Sequence, residues 1–113
     1  MPVGLTFIYA PVAELEPTLR FYRDTLGWDE AWREGDETVA FVIPDSPVQV
    51  MVSVDDQHTQ AGAMYRVDDL SAFLAEHPEL VVTSPPSDIP GGHVAGVDDG
   101  GGNTVYFFDF EMG

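Results

Sequence analysis

The sequence contains no cysteine and no lysine, and its basic side chains besides three histidines are four arginines. The absence of cysteine excludes disulfide bonds and thiolate chemistry, and it suits the reducing cytoplasm, where we expect this protein to be found. No apolar run approaches the roughly 20 residues that a transmembrane helix requires. The opening "MPVGLTFIYA" lacks a positively charged start and a small-residue cleavage site, so no secretory signal is predicted.

Acidic residues dominate the charged positions. Twenty Asp and Glu face the four arginines, which gives the 113-residue chain a formal net charge of −16. Such a surface repels phosphates and anionic lipid headgroups, so neither nucleic acid nor a membrane is an expected partner. Two interpretations stay open, because the acids either attract a cationic ligand or form a solvated coat that keeps the protein soluble.

The chain carries a weak internal repeat. The segment "VAELEPTL" (12–19) aligns with "VDDLSAFL" (67–74) at an offset of 55 residues, about half of the chain. One strand-like run precedes each segment, and strand-like runs follow each. The length suits a single domain. Within it we predict a first module (1–55), a linker (56–60) and a second module (61–113).

Each module is predicted to contain one helix. In the first, Leu15, Leu19, Tyr22 and Leu26 form one apolar stripe at helical spacing. Gly27 then occupies the position of a left-handed C-terminal cap. The segment "PPSDIPGG" (85–92) is compatible with a loop throughout. The predicted strands are 5–10, 29–34, 37–43, 48–54, 61–67, 80–84, 93–97 and 103–110.

Two motifs carry a family resemblance. The segment "FYRDTLGW" (21–28) resembles an F-Y-x-x-x-L-G-aromatic helix end, and "DDGGGNTVYFF" (98–108) resembles a D-P-x-G-N turn into a last strand. In this order the chain resembles the vicinal oxygen chelate family, which includes glyoxalase I, bleomycin-resistance proteins and extradiol dioxygenases. The resemblance implies an α+β fold of two βαβββ modules whose curved mixed sheets form a cup, and a homodimer. A dimeric ferredoxin-like barrel, the rival fold, would have fewer strands after each helix.

The resemblance also implies four metal-ligand positions on the first and last strands of the modules. Counted from the helix-start acids and the turn asparagine of this sequence, they fall on Phe7, Met51, Gly62 and Tyr106. These side chains make no ligand set for a divalent metal. We therefore expect neither a metal nor another cofactor.

The three histidines do not restore a metal site. His77 suits the end of a helix, where a cation complements the dipole, and His58 is expected at the surface of the linker. His93 is expected on a strand that borders the cup. An alternative remains open, in which His58, His93 and Glu111 supply atypical ligands for a lyase, isomerase or dioxygenase of the same family.

Without a metal, the cup would offer aromatic rings and a few polar groups to a small molecule. Trp28 and Trp32 are expected on one face of the second strand, with Glu30 between them. We predict a protein that sequesters a small, cationic aromatic ligand, and no catalytic residue is assigned; a structural or regulatory module whose cup is filled by side chains is a further alternative. The predicted ligand-binding residues are Phe7, Tyr9, Trp28, Trp32, Gln49, Met51, Met64, Arg66, His93, Tyr106 and Phe108.

Overall fold

The computed structural model of the protein describes residues 3–55 and 57–110. Within these residues, eight strands and two α-helices follow one another along the chain. In order they are β1 (Gly4–Pro11), α1 (Leu15–Leu19), β2 (Glu30–Glu34), β3 (Thr38–Val42), β4 (Gln49–Ser53), β5 (Gly62–Arg66), α2 (Leu70–Glu76), β6 (Val81–Ile89), β7 (Gly92–Asp98) and β8 (Thr104–Phe110). No helix in this part of the chain is long and apolar enough to cross a membrane.

The chain divides into two compact units, Thr6–Ala61 and Met1–Leu5 with Gly62–Gly113. The first module has the strand order β2-β3-β4-β1, in which β1 and β4 are parallel and the other neighbours are antiparallel. The second module repeats this arrangement as β6-β7-β8-β5, with β5 and β8 parallel. The predicted α+β fold with two βαβββ modules is therefore confirmed.

The first helix changes type before it ends. α1 continues as a π-helical segment, Arg20–Thr25, and the amide of Leu26 bonds the carbonyl of Phe21 five residues earlier. The wider turn rotates the following residues away from the stripe that an α-helix would present. Leu26 is 42% exposed, so its predicted place in the apolar stripe is wrong. Gly27 adopts φ of 72°, as the left-handed cap requires.

The segment "PPSDIPGG" is not a loop throughout, because β6 extends to Ile89. β6 is the last strand of the second module's sheet, and its pairing with β7 is irregular at two places between Val82 and Ser87. Proline lacks a backbone donor and is tolerated at sheet edges and bulges. The edge position and the irregular register therefore accommodate Pro85 and Pro86.

Each module packs its helix on one side of its sheet. The first cluster comprises Leu19, Val39, Phe41, Val50 and Val52. The second comprises Val67, Leu70, Phe73 and Ala95, with Phe107 packed against it. Side chains alternate between the two sides of a strand, so the intervening residues of these strands lie opposite the helices. That alternation decides which predicted site residues share a surface.

Candidate functional site

The first module carries an aromatic surface on the side of its sheet opposite α1. The cluster beneath the helix takes the valines of β4, so the alternate residues of β4 point the other way. Parallel pairing sets Gln49 beside Phe7 and Met51 beside Tyr9. These four residues and Trp32 form what we call the first-module face.

Trp32 is half-buried and is held from two directions. Its ring meets that of Phe7 edge-on, with centroids 5.8 Å apart and an interplanar angle of 80°. Its Nε1 donates a hydrogen bond to Oε1 of Gln49 at 3.0 Å. The amide nitrogen of Gln49 has no hydrogen-bond partner among the described residues. The first-module face thus combines a fixed indole with a polar group that can serve a ligand.

Tyr9 belongs to a hydrogen-bonded network rather than to the accessible part of this face. Its hydroxyl donates to the carbonyl oxygen of His58 at 2.8 Å and lies 3.1 Å from Oδ2 of Asp55. The ring Nδ1 of His58 is 2.9 Å from the same Oδ2. His58 is 8% exposed, so its expected surface position is wrong, because this carboxylate draws the imidazole inward.

The pKa of Asp55 reflects the same network. Partial burial by itself raises the pKa of this carboxyl, but hydrogen bonds from His58, Gln57 and Tyr9 outweigh burial and hold the pKa below its usual value. The carboxylate is therefore ionised at neutral pH. It organises the segment between the modules, which gives His58 a structural role.

The equivalent surface of the second module is nearly closed. Tyr106 and Phe108 are each 1% exposed, and Met64 is buried beside Tyr106. Arg66 is exposed, and its guanidinium carbon lies 4.9 Å from the ring centroid of Phe110, a cation–π arrangement. Among the predicted ligand-binding residues of this module, Arg66 therefore offers the most accessible polar group on this side of the sheet.

The positions that the family resemblance assigns to metal ligands do not fit a divalent cation. Phe7 presents a buried hydrocarbon ring. A Cβ at Gly62 would collide with the backbone carbonyl oxygen of Thr104, so no side chain fits there unless the backbone moves. Among the residues that the structure describes, no three His, Asp or Glu side chains are grouped to hold a metal, and Glu111 lies outside that part of the chain.

Trp28 lies on the other side of the first module's sheet. Its ring is 5.5 Å from that of Tyr22, and it packs against the cluster beneath α1. β2 begins only at Glu30, and its register is irregular between Glu30 and Trp32. Because simple alternation fails there, the expectation that Trp28 and Trp32 share a face is wrong.

His93 also lies on the helix side of its sheet. The β7–β8 register places His93 opposite Asp109 and Ala95 opposite Phe107. Ala95 and Phe107 pack with α2, and His93 shares their side of the strand. The expectation that His93 borders the aromatic surface with Phe108 is therefore wrong.

Asp109 is the polar residue that sequence reasoning missed. Its side chain is 9% exposed, and Oδ2 accepts the backbone N–H of Leu70 at 2.7 Å. Oδ1 accepts the backbone N–H of His93 at 3.0 Å and contacts the ring Nδ1 at 2.9 Å. Burial raises the pKa of Asp109, but the hydrogen bonds from Leu70 and His93 outweigh burial and leave the pKa below its usual value.

A cavity of about 390 Å³ opens beside this pair. We call it the α2 cavity, and its wall includes Asp68, Asp69, Ser71, His93, Asp109 and Phe110. His93 is the one residue of the predicted ligand-binding set that lines it. The sequence signal for this polar site was Asp109 itself. It is the one acid in the otherwise apolar segment "VYFFDF", and it stands on the side of the strand that faces the helix.

The duplicated βαβββ topology with mixed sheets defines the class of protein. A family model described as the glyoxalase/bleomycin resistance protein/dioxygenase superfamily matches residues 4–107. The match extends over nearly the whole chain, and the protein belongs to this superfamily, as the two sequence motifs predicted. No curated protein sequence matches the chain.

Solved structures share the fold at low sequence identity. A hypothetical protein from Bacillus halodurans C-125 has a TM-score of 0.75 at 12% identity, covering 100% of this chain and 98% of its own. Methylmalonyl-CoA epimerase from Mycobacterium tuberculosis has a TM-score of 0.66 at 18% identity, covering 96% and 88%. A superfamily member from Vibrio splendidus 12B01 has a TM-score of 0.63 at 14% identity, covering 97% and 98%. These similarities show the fold alone.

Proposed function

We propose that this protein binds a small aromatic molecule at the first-module face and holds it without a metal ion, as bleomycin-resistance proteins sequester a drug. The observation that carries the proposal is the state of Trp32. Its indole is half-buried and therefore partly accessible, and Phe7 and Gln49 fix its orientation. A ring that is already ordered loses little side-chain entropy when a flat ligand stacks on it.

The residue types at the family's metal positions support binding by contact rather than by coordination. Phe7 and Gly62 supply no lone pair, and the surroundings of Gly62 leave no room for a side chain that could. A ligand would instead meet the indole of Trp32, the thioether of Met51 and the amide of Gln49. Aromatic surface with a few polar groups is the usual lining of a small-molecule site.

The charge of the chain favours a cationic ligand. A net charge of −16 raises the local concentration of cations. A cation on an aromatic ligand is also attracted to the face of an indole. We therefore propose that a cationic aromatic compound binds more tightly than an uncharged compound of the same shape.

The test is a fluorescence titration of the Trp28→Phe variant, in which Trp32 is the remaining tryptophan. The probes are phenyltrimethylammonium, its uncharged isostere tert-butylbenzene, and bleomycin. We expect a saturable change in emission, with tighter binding of phenyltrimethylammonium than of tert-butylbenzene. If none of the three probes gives a saturable change, the proposal is wrong.

A matched pair of variants then locates the site. Trp32→Ala should weaken binding by about tenfold in calorimetry, because a lost aromatic contact of roughly 1.4 kcal/mol corresponds to that ratio. Trp28→Phe should bind as the unchanged protein does, because Trp28 packs beneath α1 on the opposite side of the sheet. Equal losses in both variants would contradict this location.

Two further expectations accompany the proposal. The family resemblance favours a homodimer, which light scattering after size-exclusion chromatography measures directly. The absence of cysteine favours a cytoplasmic location. Metal analysis of protein purified without chelators tests the metal-independent part, since a stoichiometric divalent ion would contradict it.

A further inference from the structure

Gln49 determines which polar group of a ligand the first-module face can accept. Its side chain is half-buried, and Oε1 accepts the hydrogen bond from Trp32 Nε1 at 3.0 Å. An indole nitrogen can only donate, so the amide oxygen of Gln49 and not its amide nitrogen has to face Trp32. The shape of a glutamine side chain leaves two flips of the amide open, and this hydrogen bond selects one of them.

The NH2 group of Gln49 is thereby left with two donors and no acceptor among the described residues. In the register of the sheet, the neighbours of Gln49 on this side are Phe7 in β1 and Val42 in β3. Both side chains are hydrocarbon, and neither can accept a hydrogen bond. The two donors therefore serve water or a ligand.

The indole of Trp32 determines where the acceptor of a ligand has to lie. Trp32 belongs to β2, yet its side chain contacts Gln49 in β4 and Phe7 in β1, so the indole lies across the sheet of the first module. The Nε1–H bond points outward in the plane of the indole, and the Gln49 amide therefore adjoins the edge of this ring. A ligand ring that stacks on the indole lies about 3.5 Å above it. A polar group bonded directly to the ligand ring can reach over that edge to the amide.

We propose that Gln49 selects aromatic ligands that carry a carbonyl group on the ring, by donating a hydrogen bond from Nε2 to the carbonyl oxygen. This selectivity rests on the proposed function, because it concerns the same face and the same stacking contact with Trp32. It adds the chemical class of the ligand, which is an aryl carbonyl compound with a positive charge elsewhere on the ring. A ligand that lacks the acceptor displaces water from the NH2 group and leaves its donors unpaired, so the face discriminates against such a ligand.

The experiment compares two cations of equal charge and nearly equal shape by isothermal titration calorimetry of the full chain. They are (4-acetylphenyl)trimethylammonium and (4-isopropenylphenyl)trimethylammonium, in which a methylidene group replaces the carbonyl oxygen. We expect the acetyl compound to bind about fivefold more tightly, the effect of one neutral hydrogen bond. Equal affinities would overturn the role of Gln49 and leave the proposed function standing, whereas no binding of either cation would overturn both.

Gln49→Glu removes the two donors and keeps the size of the side chain. One glutamate oxygen can still accept the Trp32 Nε1–H, but the other oxygen is a second acceptor where the NH2 group was. We expect the fivefold preference to fall to one or below, because this oxygen and the ligand carbonyl repel each other. Both probes carry the same positive charge, so the added negative charge cancels in the ratio of their affinities. A preference that persists in Gln49→Glu would overturn the proposal.

Gln57→Glu is the charge-matched control. Gln57 is exposed and lies outside the first-module face, and it undergoes the same change from amide to carboxylate. This variant should keep the fivefold preference for the acetyl compound. Loss of the preference in both variants would show a general effect of added charge and overturn the selectivity of Gln49.

The indole N–H resonance of Trp32 tests the orientation of the amide without any ligand. We expect its hydrogen exchange to stay slow in Gln49→Glu and to become several-fold faster in Gln49→Leu, which removes the acceptor. The indole N–H of Trp28, which packs beneath α1, is the internal reference and should not change. Equal exchange of the Trp32 resonance in the parent and in Gln49→Leu would show that Trp32 does not hold the amide, and would overturn the proposal.

Discussion

Replacing Asp109 by asparagine removes the carboxylate that ties β8 to α2 and β7. The backbone amide of Leu70 and the amide and ring of His93 all point at this group. An asparagine side chain has one acceptor oxygen, so at least one of these donors loses its partner in a buried place. A hydrogen bond to a charged group contributes about 1.5–3 kcal/mol. We expect Asp109→Asn to lower the free energy of unfolding at pH 7 by about that amount.

The stabilisation that Asp109 provides should decrease at low pH. The folded pKa of Asp109 is lowered, so its ionised form stabilises the protein above the unfolded pKa of about 3.9, and this contribution is lost as pH falls through the folded value. Urea unfolding at pH 7 and at about pH 3 should therefore give a larger difference between variant and parent at pH 7.

Asp88→Asn is the control for this measurement. The Asp88 side chain is 95% exposed, and its carboxylate is 3.8 Å from the same imidazole. An exposed pair of this kind contributes no more than about 1 kcal/mol. If Asp109→Asn changes stability no more than Asp88→Asn, or by the same amount at both pH values, the assigned role of Asp109 is wrong.

Two further variants test the core and the closed metal position. Phe41→Ala should lower the free energy of unfolding by about 3–5 kcal/mol in urea titrations, because Phe41 is fully buried and stacks on Tyr22; a loss below 1 kcal/mol would contradict that packing. Gly62→His should lower the thermal unfolding midpoint, because any Cβ at this position collides with the backbone carbonyl of Thr104. Adding Zn²⁺ should not restore the midpoint. A rise of the midpoint with Zn²⁺ would refute this reasoning.

The sequence predicted the fold because its signals were local and repeated. Alternating apolar residues marked the strands, and Gly27 marked the end of the first helical segment, where φ is 72°. The π-helical segment escaped prediction because its apolar spacing fits an α-helix equally well. The extent of β6 escaped because its prolines are acceptable only on an edge strand, and strand order is a property of the whole sheet.

The candidate site was harder to predict, because side-chain direction depends on register. One irregular step in β2 separates Trp28 from Trp32, and the phase of β7 sets His93 on the helix side. Asp109 belongs to no sequence motif, and its hydrogen-bond partners Leu70 and His93 are distant in sequence. The mismatch at the metal positions could be predicted from the sequence, because it follows from the residue types of Phe7 and Gly62 alone and not from side-chain direction.

The two modules share one topology but distribute their polar groups differently. In the first, the surface opposite the helix keeps a half-exposed indole and an amide, while the helix side is an apolar cluster that includes Trp28. In the second, Tyr106 and Phe108 are buried on that surface, and the polar groups stand on the helix side around Asp109. Because successive strand residues face opposite sides, a few substitutions at alternate positions suffice to exchange polar and apolar surfaces while the backbone stays the same. A duplicated fold can thus acquire two chemically different surfaces.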